Sequence, residues 1–148
     1  MLMSIIAFII LLLDQSTKHY VLTRMSPSQT IPVFQNYFHI TFVKNAGAAF
    51  GIFQNQRIFF ILITVVVVII ILLAYWKLAR DQNIYLTIAL GLQLGGALGN
   101  FIDRVRFGYV IDFLDFRIWP VFNVADMAIV GGVILLIWQI LVNPGRIG

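Results

Sequence analysis

The stretch "FFILITVVVVIIILLAYW", residues 59 to 76, runs for eighteen residues without a charge. A helix that is apolar on every side belongs in lipid or in the middle of a large core. This one approaches the roughly 20 residues needed to cross a hydrocarbon layer of about 30 Å. The stretch "MAIVGGVILLIWQILV", residues 127 to 142, is equally free of charge. With two further apolar segments, the pattern predicts transmembrane helices over about 1–22, 58–76, 84–102 and 124–142. Composition agrees, at 61% hydrophobic and 11% charged over 148 residues. The expected fold is mainly α, an integral membrane protein built as a single domain over 1–148. The first segment has no basic residues ahead of its apolar run and no small-residue cleavage site. It is therefore expected to remain as a helix and not to be removed as a signal peptide.

Composition also excludes several chemistries. There is no cysteine, so disulfides, thiolate metal sites, a cysteine nucleophile and prenyl or palmitoyl anchors are ruled out. A formal charge of +4, scattered along the chain, leaves no footprint for nucleic acid. His19 and His39 do not make metal-ligand spacing with any carboxylate, so neither metal nor cofactor is expected.

Four spans place both termini on one side of the membrane. The opposite side then receives Asp14, Lys18, the loop over about 23–57, Asn100, the loop over about 103–123 and Asp126. The side of the termini receives only the "KLARDQN" turn and the "NPGRIG" tail, so chemistry is sorted to one surface. Charge counting does not orient the chain. The large loops hold six basic residues (Arg24, Lys44, Arg57, Arg104, Arg106, Arg117) against Lys77, Arg80 and Arg146 opposite, but the short turn is denser.

Asp14 lies roughly 20 Å along its helix, inside the membrane, with Lys18 one turn on along the same stripe. Ionisable groups at that depth face a protein interior or a wet cavity. A structural ion pair is the natural reading of the two. Gly91, Gly95 and Gly99 recur every four residues and predict close helix packing. The same stripe continues to Asp103, so the seam leads toward the polar cluster.

Within the first large loop, "NYFHITFV" alternates as a half-buried strand, with Phe38, Ile40 and Phe42 on one side and Tyr37, His39 and Thr41 on the other. "KNAG" reads as a turn and "AAFGIF" as a second strand, giving a small sheet over the helix ends. His39 reads as a surface polar residue.

All six acidic residues are aspartates. Two that approach closely share a proton, one acting as acid and the other as base, and can direct water at an amide without a metal. Asp103, Asp112, Asp115 and Asp126 are on the shared face. Asp126 stands at a helix entrance beside Asn123. Asp103 adjoins Arg104, a setting that favours a structural or clamping role, whereas Asp112 follows the dry "GYVI". Spacing thus favours Asp112 with Asp126 only modestly over Asp103 with Asp126, and loop or capping roles stay open.

Five stretches in order, "DQSTK" at 14–18, "KNAGAAFG" at 44–51, "GGALGNFIDR" at 95–104, "GYVIDF" at 108–113 and "VFNVAD" at 121–126, resemble the motifs of the bacterial lipoprotein signal peptidase (signal peptidase II) family. The likeness covers nearly the whole chain; Ile111, where Val is common, is a mild departure. It implies an aspartic endopeptidase of the bacterial cytoplasmic membrane, with Asp112 and Asp126 as the catalytic pair. Asn45, Gly47, Asn100, Arg104 and Asn123 would line the substrate pocket, and Asp14 and Lys18 would support it; Asp103, from its own setting beside Arg104, is counted with these supporting residues. The implied substrate is a diacylglyceryl prolipoprotein, cut just before its lipidated cysteine. The implied topology has both termini cytoplasmic, with a small extracytoplasmic sheet and a surface loop (104–120) over the active site near the outer surface. Nothing in the sequence demands more than a monomer in membrane lipid. A proton-coupled transporter would need ionisable groups along a crossing path, and a scaffold would leave the Asn and Asp cluster unexplained.

Overall fold

The computed structural model describes residues 1–47, 56–78 and 83–142. In chain order these form α1 (Leu2–Arg24), β1 (Thr30–Phe34), β2 (Phe38–Asn45), α2 (Arg57–Leu78), α3 (Ile84–Phe107), β3 (Val110–Asp115) and α4 (Val124–Val142). All four helices are long and apolar enough to cross a membrane. Helix α3 is the hub, packing against the other three. Of its membrane-length window 56% is buried against 6% for α2, which leaves α2 facing lipid on nearly every side.

The glycine stripe explains how α3 sits so close to its neighbours. A Cβ on Gly95 would lie 2.7 Å from the Ala7 carbonyl oxygen, and one on Gly91 would lie 3.0 Å from Ile6 Cβ. On Gly99 it would collide with the Asp14 carboxylate. The stripe therefore receives α1 in parallel, Gly91 low and Gly99 high. Gly96, a step round the helix, gives α4 the same close approach at the Ala125 carbonyl, and Gly132 of α4 lies against the Ala89 carbonyl. This is the packing expected where lipid removes any hydrophobic force between helices and contact distance matters most.

Helix α3 continues well past Ile102, where the apolar run gives out, to Phe107. Nothing in "DRVRF" breaks a helix. Gly108 does, with φ 82° and its N–H bonded to the Arg104 carbonyl at 3.1 Å. Asp103 and Arg104 are therefore helical and not loop residues.

The sheet is antiparallel in the order β1-β2-β3. Both edges of β2 are thus taken by segments other than the expected "AAFGIF", which lies outside the described residues, as do most of the "KLARDQN" turn and the "NPGRIG" tail. Phe42, Ile111 and Phe113 are buried with Val21 and Met25, seating the sheet on the top of α1. Beyond β3 the chain loops out and returns at Phe122, whose carbonyl accepts from the N–H groups of Phe113 and Leu114 at 3.0 and 2.8 Å. That return delivers Asn123 to the start of α4.

Filling the seam should be costly. Gly95→Val is expected to lower stability by about 1–3 kcal/mol through overpacking. Gly131→Ala, where an added Cβ meets nothing within 4 Å, should be nearly neutral. Thermal unfolding in detergent compares the two, and equal stability would show the seam to be loose.

Candidate active site

Helix α4 begins with a reciprocal cap. The Asn123 side-chain oxygen accepts from the Asp126 backbone N–H at 2.9 Å, and an Asp126 carboxylate oxygen accepts from the Asn123 N–H at 3.3 Å. This is a capping box written with Asn and Asp. It satisfies two end groups of the helix and fixes the Asp126 side chain at the rim.

Backbone and ammonium donors set the orientation of three amides around the aspartates. Because Asn123 Oδ1 must face the Asp126 N–H, its Nδ2 points to Asp112 Oδ1 at 2.7 Å. Asn45 Oδ1 accepts from the Gly47 N–H at 3.0 Å, which turns its Nδ2 to Asp112 Oδ2 at 2.8 Å. Asn100 Oδ1 accepts from Lys18 Nζ at 2.9 Å, which turns its Nδ2 to Asp126 Oδ1 at 2.7 Å. Each carboxylate is gripped through both oxygens, and Asn123 touches both residues.

Beneath lies a buried ion network. Lys18 Nζ reaches Asp14 at 2.9 Å and Asp103 at 2.8 Å. Gln15 Nε2 bridges the same two carboxylates at 3.2 and 3.1 Å. Asp103 accepts from the Ile111 N–H at 3.1 Å and Asp14 from the Ala125 N–H at 2.9 Å. Each supporting carboxylate thus holds the backbone just ahead of Asp112 or Asp126. The expected pairing of Asp103 with Arg104 does not occur; neighbours on a helix point about 100° apart. Arg104 instead lies 4.8 Å from the Phe60 ring.

A cavity of about 280 Å³ opens above, lined among others by Asn45, Gly47, Asn100, Arg104, Asp112 and Asp126. Val110, Val130 and the return segment Trp119, Pro120, Val121 and Phe122 complete the wall. Sequence reading singled out neither these nor Gln15; only the pairing of β3 with the returning Phe122 brings the segment over the aspartates. Asn123, expected in the pocket wall, is fully buried behind it and acts on the two aspartates. Asp115 lies apart, bonded to Thr41 at 2.7 Å and to Arg117 at 3.1 Å. His39 is half-buried, with both ring nitrogens unpartnered among the described residues, not a surface polar residue.

Burial pushes the Asp112 carboxyl up to about 7, and the charge of Asp126 acts in the same direction. Its amide donors and the more distant Lys18 offset only part of that rise.

Residues 6–142 match the family model described as signal peptidase (SPase) II. The chain belongs to the signal peptidase II family. It is 53% identical over 144 residues to the lipoprotein signal peptidase of Moorella thermoacetica, covering 97% of this chain and 95% of that one. To the lipoprotein signal peptidase of Halothermothrix orenii it is 50% identical, covering 91% and 94%. A solved bacterial membrane enzyme superposes with a TM-score of 0.88 at 37% identity, over 95% of this chain and 88% of that one. The signal peptidase II chain is accordingly a multi-pass peptidase of the bacterial inner membrane.

Lys18→Met would leave Asp14 and Asp103 buried without their cation. A loss of about 3–5 kcal/mol is expected, read as a fall in thermal stability in detergent. Wild-type stability would mean that the network is not held by charge.

Proposed function

We propose that the chain is an aspartic endopeptidase that removes the signal peptide from diacylglyceryl-modified prolipoproteins, cutting just before the lipidated cysteine. The observation that carries this reading is the joint placement of Asp112 and Asp126 in one small cavity, linked through Asn123. Asp112 holds the shared proton near neutral pH, since burial raises its carboxyl to about 7. Asp126 takes a proton from water as the oxygen attacks the scissile carbonyl carbon, while Asp112 gives its proton to the carbonyl oxygen. Collapse of the tetrahedral adduct breaks the C–N bond. The proton taken by Asp126 passes to the leaving amine, the adduct hydroxyl returns its proton to Asp112, and the pair is reset.

The surroundings suit an amide substrate held in a medium of low dielectric. Asn45 and Asn100 line the cavity and offer donors and acceptors without adding charge. The Arg104 guanidinium supplies a donor for a substrate carbonyl or ester. A signal peptide is itself an apolar helix and approaches laterally from lipid. Its cleavage site must therefore meet water at a helix end, where Asp126 lies. The proposed topology has both termini in the cytoplasm and this cavity at the outer surface. A transporter is disfavoured because α2 and α4 carry no ionisable residue between their ends.

Asp112→Asn and Asp126→Asn are each expected to reduce cleavage of a purified diacylglyceryl prolipoprotein by about 10³-fold or more without loss of folding. Chelator should leave the wild-type rate unchanged. Turnover by either variant at the wild-type rate refutes the pair. Asp103→Asn should lower stability first; full loss of turnover with normal stability and substrate affinity would favour Asp103 as the partner instead.

The pH dependence has a defined sign. Asp112 titrates near 7 when folded against 3.8 in the free residue, so the native state holds more protons across that window. Native stability therefore declines as pH rises from about 4 to 7. Asp112→Asn should be more thermostable than wild type at pH 8, with the advantage gone at pH 4, and wild-type kcat/KM should fall above about pH 7. A flat rate profile from about pH 5 to 9 would exclude a proton held by Asp112.

A further inference from the structure

A second cavity, of about 500 Å³, runs along α4 below the catalytic one and shares Trp119, Phe122, Asp126 and Val130 with it. Met127, Gly131 and Ile134 complete its wall, and among the described residues Asp126 at its head is the only charged one in it. From Asp126 to Ile134 the groove descends about 12 Å along the helix axis, from the polar rim into hydrocarbon. This face is distinct from the one that packs on α3. Ala125, Ala128 and Gly132 are buried in the bundle, whereas Met127, Val130 and Ile134 are exposed.

The two adjacent glycines of α4 differ in what they do. Gly132 is required by packing, since a Cβ there would lie 2.7 Å from the Ala89 carbonyl oxygen. At Gly131 a Cβ would meet nothing within 4 Å. No contact among the described residues therefore calls for a glycine at 131. What its missing side chain leaves is open space in the groove, between Met127 and Ile134.

We infer that this groove seats an acyl chain of the lipid-modified substrate and that Gly131 is the residue that admits a long one. The inference rests on the function proposed above, in which the lipid is carried by the residue next to the scissile bond. Its chain therefore starts within a residue of Asp126, where the groove starts. A polar head and an apolar, lipid-facing course match an ester-linked hydrocarbon tail. The signal peptide is the other apolar candidate, and it is separated from the acyl chain by experiment, since only an acyl chain makes the effect of bulk at Gly131 depend on chain length.

The test compares two synthetic prolipoprotein substrates in detergent, one carrying palmitoyl and one butanoyl chains. For Gly131→Leu, the ratio of kcat/KM for palmitoyl over butanoyl substrate should fall about tenfold or more, mainly through KM. The chain has no cysteine of its own, so Gly131→Cys gives a unique handle that can be modified after folding. A bulky maleimide there should reproduce the loss of chain-length preference, whereas a methylthio group should not. A ratio unchanged by both the leucine and the maleimide overturns the groove assignment, because bulk at 131 would then not meet the chain. Wild-type enzyme that cleaves neither substrate overturns the underlying reading of function, and the inference with it.

Discussion

The ammonium of Lys18 has three protons to donate and uses all three on side chains: Asp14, Asp103 and Asn100. Each recipient then controls a different part of the site. Asp103 holds the Ile111 N–H, Asp14 holds the Ala125 N–H, and Asn100 presents its amide nitrogen to Asp126. One cation thereby sets the position of two backbone segments of the site, in β3 and at the start of α4, and the orientation of an amide that grips a proposed catalytic carboxylate. The network lies fully inside the protein. A buried ion group is a weak source of net stability, but breaking it by removing one partner is severe.

The three asparagines extend the same logic. In each, one end is claimed by an obligatory donor, so the other end has to be the amide donor that faces an aspartate. No charge enters the cavity with them. Had lysines held Asp112, its carboxyl would be pulled down and would hold no proton at neutral pH. Neutral amides hold the carboxylates in place while burial keeps the Asp112 proton on. Rigidity and a raised pKa are thus obtained together.

Much of this was legible in the chain because lipid makes sequence patterns strict. The uncharged runs marked the spans, the four-residue glycine spacing marked the seam with α1, and the alternation of "NYFHITFV" marked β2. Local reading failed where a partner is remote in sequence. Asp103 next to Arg104 looked like a pair, yet the cation that reaches it is Lys18, across the glycine seam. The second strand expected at "AAFGIF" lies outside the described residues, and β2 pairs with Val110–Asp115, which no local pattern marks. The Trp119 to Phe122 wall and the bridging Gln15 carry no periodic signal at all. Helix α3 outruns its expected span for a different reason: polarity marks where a helix leaves the apolar layer, not where it stops.

The same distinction between apolar layer and helix end explains why a hydrolytic site fits here. Helix α3 carries Asp103 and Arg104 up past its apolar stretch before Gly108 turns the chain. Helix α4 starts its descent at Asn123 and Asp126, with a polar cap above and an uncharged run below. One polar layer therefore forms where two antiparallel helices pass each other, capped by a strand from the sheet. Water has access from above and hydrocarbon from the side. Under the proposed function, an amide bond beside a lipid tail meets both in such a layer. The glycines that let α3 and α4 approach closely are what keep the layer narrow enough for Asn100 to reach across to Asp126.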